Sequence, residues 1–138
     1  MRLEVVKKMT QAKRLILVVE DNHLIRLAAV ELLIEAGFEV LEAESADEAI
    51  NILEARRDIH LVFTDVQMPG TMDGVKLSHY IRDRWPPIKL IVASGQSILT
   101  ESQLPAGARF FAKPYDAGNI IQTILGMLPD PSEQHPSP

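Results

Sequence analysis

The sequence predicts a doubly wound α/β domain built on one five-stranded parallel sheet of strand order 2-1-3-4-5. Three observations lead there. From Leu15 onward, short apolar runs alternate with amphipathic stretches, the pattern of parallel strands joined by helices that cover both faces of a sheet. The first run, Leu15-Ile16-Leu17-Val18-Val19, is apolar at every position, as a strand covered on both sides has to be. Acidic, hydroxyl or basic residues then stand at the carboxyl ends of the runs, where open α/β sheets bind their ligands.

Taken in order, the first strand is followed by a helix from Leu24 to Ala36, which Gly37 is placed to stop. Phe38 to Glu42 reads as the second strand. Ser45 with Glu48 three residues later forms a capping box for the next helix, whose Ala46, Ala49, Ile50 and Leu53 share a face. The third strand runs from Ile59 to Thr64 and delivers Asp65 at its end. A Pro69-Gly70 turn leads into a helix from Asp73 to Arg84, with Val75, Leu77, Tyr80 and Ile81 as its apolar residues, and Pro86-Pro87 ends it. Lys89 to Ala93 is the fourth strand, and Phe110-Phe111-Ala112 is the centre of the fifth. Between Gln96 and Gly107 only about two turns of helix fit, so the fourth helix is shortened, and Pro105 shortens it further. The last helix buries Ile120, Ile121, Ile124, Leu125 and Leu128.

The bulk properties narrow the class. At 138 residues the chain has room for one core. Residues 1–12 form an N-terminal extension without a clear period, 13–128 the domain, and 129–138 a disordered tail rich in Pro and polar residues. Cysteine is absent, which excludes disulfides and thiolate metal sites. No apolar run approaches the roughly 20 residues of a membrane span, and the start MRLEVVKKMT has no signal-peptide core. A net charge of -5 disfavours binding to nucleic acid, whose phosphates need clustered Lys and Arg. The expectation is a cytoplasmic protein with small-ion and protein partners, no nucleic acid and no membrane.

The predicted strand order brings Glu20, Asp21, Asp65, Ser94 and Lys113 to one crevice. Three carboxylates packed together raise each other's proton affinity unless a cation joins them. Hard oxygen donors at a wet rim suit Mg²⁺, which keeps several waters and uses few protein carboxylates. Lys113 and the Ser94 hydroxyl supply partners for the oxygens of a phosphoryl group, and the central Asp65 is then the nucleophile. Each residue has a plainer reading by itself: a helix cap, a turn, a surface lysine. Those plain readings would have to hold together at four strand ends.

The segments Val18-Val19-Glu20-Asp21-Asn22, Thr64-Asp65-Val66-Gln67-Met68-Pro69-Gly70, Met72-Asp73-Gly74, Ala93-Ser94-Gly95 and Ala112-Lys113-Pro114 resemble the receiver domain of bacterial response regulators, a flavodoxin-like fold. The resemblance covers about residues 13–128. It implies that Asp65 is the phosphoacceptor, and that Asp21, Glu20, Asp65 and the backbone carbonyl of Gln67 hold Mg²⁺. It also makes Ser94 the switch hydroxyl, Lys113 the counter-ion, Phe110 the switch aromatic, and the Lys113-Pro114 bond cis. Phe110 is often Tyr in the family, so its coupling has to work through packing.

By the same resemblance, a histidine kinase or histidine phosphotransfer protein donates the phosphoryl group, and an output protein reads the result. Phosphorylation and dephosphorylation are self-catalysed, so the chain is a switch and not an enzyme. The chain ends after the fifth helix and a short tail, which is the stand-alone form. A relay intermediate or phosphate sink is the alternative role. A Mg²⁺-dependent phosphohydrolase needs a second acid two residues after the nucleophile, where this chain has Gln67. A phosphate-independent binding module should have lost part of the acidic set, which is intact. The scattered His23, His60, His79 and His135 lack ligand spacing and read as surface residues. Trp85 reads as a cover at a helix end, and Arg82-Asp83-Arg84 as a solvated face.

Overall fold

The computed structural model describes residues 14–70, 72–96 and 100–128. The expected extension and tail, residues 1–12 and 129–138, lie outside the described residues. In chain order the elements are β1 (Leu15–Val19), α1 (His23–Glu35), β2 (Glu39–Ala43), α2 (Ala46–Ala55), β3 (Ile59–Asp65), α3 (Gly74–Arg84), β4 (Lys89–Ser94), β5 (Arg109–Ala112) and α4 (Ala117–Met127). The five strands are parallel in the order β2-β1-β3-β4-β5.

Alternation along the strands splits the core in two. Leu15, Leu17 and Val19 of β1 point to the side covered by α2 and α3, where they meet Ala49, Leu53, Leu77 and Ile81. Ile16 and Val18 point to the side covered by α1 and α4, with Leu33, Ile120 and Ile124. The inner strand β1 is buried throughout, while the edge strands β2 and β5 are largely open. Truncating Leu77, which is wholly buried, to Ala costs about 2–5 kcal/mol.

Helix starts are set by side chains in extended caps. Asn22, Ser45, Asp73 and Asp116 each accept a hydrogen bond from a backbone N–H of the following turn. Half of the expected box forms: the Ser45 hydroxyl accepts from the Glu48 N–H at 3.2 Å, while the Glu48 carboxylate reaches one residue further back and accepts from the Glu44 N–H at 2.6 Å.

Two expectations need correction, and a third was only partly met. Five helices were expected, the fourth of them shortened; among the described residues four are α-helical. The described part of the fourth is a single 3₁₀ turn, Glu101–Gln103. Pro105 lacks an N–H to extend it, and Gly107 turns the chain with φ +83°. Arg82 is not on a solvated face: its guanidinium donates to the carbonyls of Pro86 (2.6 Å), Ile88 (3.0 Å) and Ala106 (3.0 Å). With the bond from His79 Nε2 to the Gln103 carbonyl at 3.0 Å, it ties the 3₁₀ segment onto α3. In α4, Leu125 is 45% exposed, because only one face of that helix meets the sheet; Ile121 is half-buried. Trp85 caps α3 and packs on the core as expected.

Candidate functional site

Strand register assembles the site. Val19 lies beside Thr64, Asp65 beside Ala93, and Ser94 beside Ala112. The residues that leave these strands therefore emerge side by side: Glu20 and Asp21 after β1, Asp65 at the end of β3, Ser94 at the end of β4, Lys113 after β5. Backbone bonds continue the sheet past its last pairs, from Val66 N–H to the Ala93 carbonyl at 3.0 Å and from Lys113 N–H to the Ser94 carbonyl at 2.9 Å. The Lys113-Pro114 peptide is cis.

The carboxylates of Glu20, Asp21 and Asp65 each offer an oxygen, all within 4.8 Å of one another. Glu20 and Asp65 are buried, at 6% and 8% exposure, whereas Asp21 is exposed. Lys113 Nζ sits between the buried pair, 2.8 Å from Asp65 Oδ1 and 3.1 Å from Glu20 Oε1. Burial pushes the Glu20 carboxyl above its ordinary value and the Asp65 charge adds to this, while the Asn22 N–H and Lys113 only partly offset the rise. Burial alone would lower the Lys113 ammonium, but its bonds to Asp65 and Glu20 prevail and its net shift is upward. One ammonium against three carboxylates leaves the cluster anionic.

That surplus is what a hard divalent cation would neutralise. The donors are all carboxylate oxygens, one of them on an exposed residue with access to water, which fits Mg²⁺. A hollow of about 660 Å³ opens over the group and is also lined by Gln67, Asp73 and Gln96. Asp73 is already committed, since its Oδ1 accepts the Lys76 N–H at 2.9 Å.

The remaining sequence-predicted residues fall differently. Ser94 is 2% exposed, and its hydroxyl donates to the Gln67 side-chain oxygen at 3.1 Å. Phe110 does not line the hollow. It is half-buried and packs against the core cluster that contains Val92 and Leu104, beneath the 3₁₀ segment.

Four residues to which sequence reasoning gave no role at the site help to shape it. Arg26, buried on α1, donates to the Glu20 carbonyl at 2.8 Å and to Glu42 Oε1 at 2.9 Å, fixing the backbone from which Glu20 projects. His23 begins α1, and its Nδ1 lies 3.2 Å from the same guanidinium. Gly74 leaves no space for a side chain: a Cβ there would fall 2.0 Å from the Asp65 carbonyl oxygen. Tyr115 stacks obliquely on Phe63, centroids 5.7 Å apart, beneath Lys113 and Asp65; burial raises its phenol. An Arg one turn into the helix that follows an acidic pair was a usable signal for Arg26. For Gly74 the only signal was the Asp73-Gly74 pair at a helix start.

Comparison with known proteins points one way. Residues 16–125 match the family model of the response regulator receiver domain. Over 128 residues the chain is 35% identical to the response regulator protein FleR of Pseudomonas aeruginosa, a match covering 88% of this chain and 27% of FleR. The chain thus spans about a quarter of that relative's length. It is 31% identical over 113 residues to the chemotaxis protein CheY of Bacillus subtilis, covering 79% of this chain and 92% of CheY. Among solved structures, the response regulator protein TrrA of Thermotoga maritima, in complex with Mg²⁺-BeF, superposes with a TM-score of 0.72 at 26% identity. That match covers 83% of this chain and 99% of TrrA. The chain belongs to the response regulator receiver domain family.

Proposed function

We propose that the chain is a phosphorylation switch in which Asp65 takes the phosphoryl group from a phosphohistidine of a histidine kinase or phosphotransfer protein. The observation that carries this reading is the placement of Asp65. It is a buried carboxylate at a strand end, 2.8 Å from the Lys113 ammonium and within 4.8 Å of the oxygens of Glu20 and Asp21. Receiver domains bind Mg²⁺ in such an acidic pocket, and in this chain Glu20, Asp21, Asp65 and the Gln67 carbonyl would hold it. When bound, the ion neutralises the carboxylates and the oxygens of the incoming phosphoryl group.

The chain's own residues do the rest. A carboxylate oxygen of Asp65 attacks phosphorus; an O–P bond forms, the P–N bond to the donor imidazole breaks, and the electron pair leaves with the ring. Lys113, whose ammonium stays charged, follows the new negative charge. Ser94 gives up Gln67 and donates its hydroxyl to a phosphoryl oxygen, and Phe110 repacks against the segment that carries Leu104. The altered face is then read by an output protein in the cytoplasm. No acid stands two residues beyond Asp65: Gln67 is there, engaged with Ser94, so turnover of a separate phosphate ester is not part of this reading.

Intact-protein mass after incubation with acetyl phosphate tests it. One phosphoryl adduct is expected on the wild type with Mg²⁺, labile to hydroxylamine, and none on Asp65→Asn or in EDTA. An adduct that survives on folded Asp65→Asn would overturn the assignment of Asp65.

A further inference from the structure

The edge of the sheet opposite Asp65 carries a second candidate site. Two hollows of about 570 and 830 Å³ adjoin there and share Arg57, Ile59 and Pro87. Ile59 and Lys89 begin β3 and β4, so the cleft runs across the amino ends of the inner strands. Five Arg or Lys side chains and two carboxylates line it, in a chain whose formal net charge is -5. Both carboxylates have partners already. Arg56 holds Asp58 with bonds of 2.7 and 3.0 Å, and Arg84 reaches Glu54 at 3.4 Å. Arg57 and Lys89 have no carboxylate partner among the described residues.

His60 adds a directed donor. The register of β1 on β3 jumps from Leu15↔Ile59 to Ile16↔Leu61, so His60 is the extra residue of a bulge, the kind of irregularity that re-aims a side chain. Its Nδ1 accepts the Leu15 N–H at 3.1 Å. A neutral ring therefore carries its proton on Nε2, and the residue lines the larger hollow. The smaller hollow supplies the opposite chemistry, with the half-buried Trp85 beside the exposed Pro86 and Pro87. One guanidinium, that of Arg84, lies 5.4 Å from the Trp85 ring and 5.5 Å from the Tyr80 ring, fixing the indole.

We infer that this cleft binds a nucleoside di- or triphosphate, with its phosphates at Arg57, Lys89 and His60 and its base against Trp85 and the proline pair. Phosphate oxygens call for charge-assisted donors, and an aromatic or proline surface accepts any base by stacking. The volumes fall in the range of about 300–1,000 Å³ usual for small-molecule sites. The cleft is separate from the Asp65 pocket and shares no lining residue with it.

Trp85 is the chain's one tryptophan, so it reports on the cleft directly. Full-length protein in EDTA, which keeps metal out of the Asp65 pocket, is excited at 295 nm and titrated with ATP, tripolyphosphate or adenosine. Saturable quenching by ATP is expected, with tripolyphosphate and adenosine each much weaker. Arg57→Gln and Lys89→Gln should each weaken ATP about tenfold, the usual worth of a charged hydrogen bond. Both should leave the reaction of Asp65 with acetyl phosphate unchanged, which shows that the variants are folded. Absence of saturable quenching, or equal ATP affinity in wild type and both variants, would overturn the site. Tripolyphosphate binding as tightly as ATP would overturn the nucleotide assignment and leave only a basic face.

Discussion

The Ser94 hydroxyl donates a hydrogen bond to the side-chain oxygen of Gln67, 3.1 Å away. The two residues end neighbouring segments, β4 and the turn after β3, so the bond spans the mouth of the site. Moving Ser94 to a phosphoryl group means giving up this bond, worth about 1 kcal/mol net. Gln67→Ala should therefore bind beryllofluoride with Mg²⁺ about fivefold more tightly than the wild type. Weaker binding would show that Gln67 assists the switch and does not restrain it.

Lys113 has a structural task as well. Replacing it by Met leaves Glu20 and Asp65 facing each other with no cation between them. Removing one partner of a buried pair costs about 3–5 kcal/mol, and the partly exposed lysine brings the expectation down to about 2 kcal/mol. The loss should appear in urea unfolding in EDTA and shrink in millimolar Mg²⁺, because a ligand of the folded state stabilises by mass action. The variant should thus gain more from Mg²⁺ than the wild type does. An equal gain in both proteins would mean that the carboxylates are not what the ammonium neutralises.

Glu20 makes the metal-free domain sensitive to pH. Its carboxyl lies above its ordinary value of 4.5, so in the window above 4.5 the folded state takes up a proton that the unfolded chain does not. The stabilisation from that proton is complete below 4.5 and disappears as pH rises through the folded value. Lys113, shifted upward, stays charged over the whole window. In EDTA the wild type should therefore lose stability more steeply than Glu20→Gln as pH rises above 4.5, and urea midpoints at matched pH steps measure the difference. Identical slopes would remove Glu20 as the cause.

Much of this site was legible because a parallel sheet converts sequence spacing into neighbourhood. Once Leu15–Val19, Ile59–Thr64, Lys89–Ala93 and Phe110–Ala112 read as strands of one sheet in the order 2-1-3-4-5, Asp21, Asp65 and Lys113 had to meet. Partnership within the cluster was less legible. Glu20 and Lys113 are 93 residues apart in sequence, and only register places one amine between two acids. The direction of the Ser94 hydroxyl depends on a rotor that no pattern encodes. Arg82 read as solvated because it opens the charged run Arg82-Asp83-Arg84, whereas its partners are carbonyls of loops folded back by Pro86-Pro87 and Gly107. Leu125 read as core because its spacing suits a helix face, but that face turns away from the sheet.

Gly74 is held against Asp65. Its N–H bonds the Val66 carbonyl at 2.9 Å, and an added Cβ would meet the Asp65 carbonyl oxygen at 2.0 Å. Backbone has to move to admit it, an overpacking cost of about 3 kcal/mol. Gly74→Ala should lower stability by that order and slow acetyl phosphate labelling even in the folded fraction. Gly126→Ala is the matched control: nothing lies within 4 Å of its added methyl, and a helical Gly→Ala change should stabilise by up to about 1 kcal/mol. Parallel behaviour of the two variants would refute the contact with Asp65.

The surface beside the pocket bears on how a phosphodonor protein would dock. Among the described residues, four of the five large apolar residues most exposed to solvent lie on α1: Leu24 at 74%, Ile25 and Leu27 at 42%, and Ile34 at 55%. Leu24 and Ile25 stand in the first turn of α1, and Ile25 also lines the hollow over Asp65, so exposed apolar side chains border the pocket. Exposed apolar side chains at a pocket rim suit a contact face, and under the proposed function a donor that brings phosphohistidine to Asp65 would cover this rim. Acetyl phosphate is small enough to reach Asp65 without touching it. Leu24→Asp should therefore leave labelling by acetyl phosphate unchanged and slow transfer from a phosphorylated phosphotransfer protein about tenfold, the effect of one interface residue worth more than about 1 kcal/mol. Loss of both reactions would point to damage at the pocket through the neighbouring Asn22 cap, and loss of neither would place the docking face elsewhere.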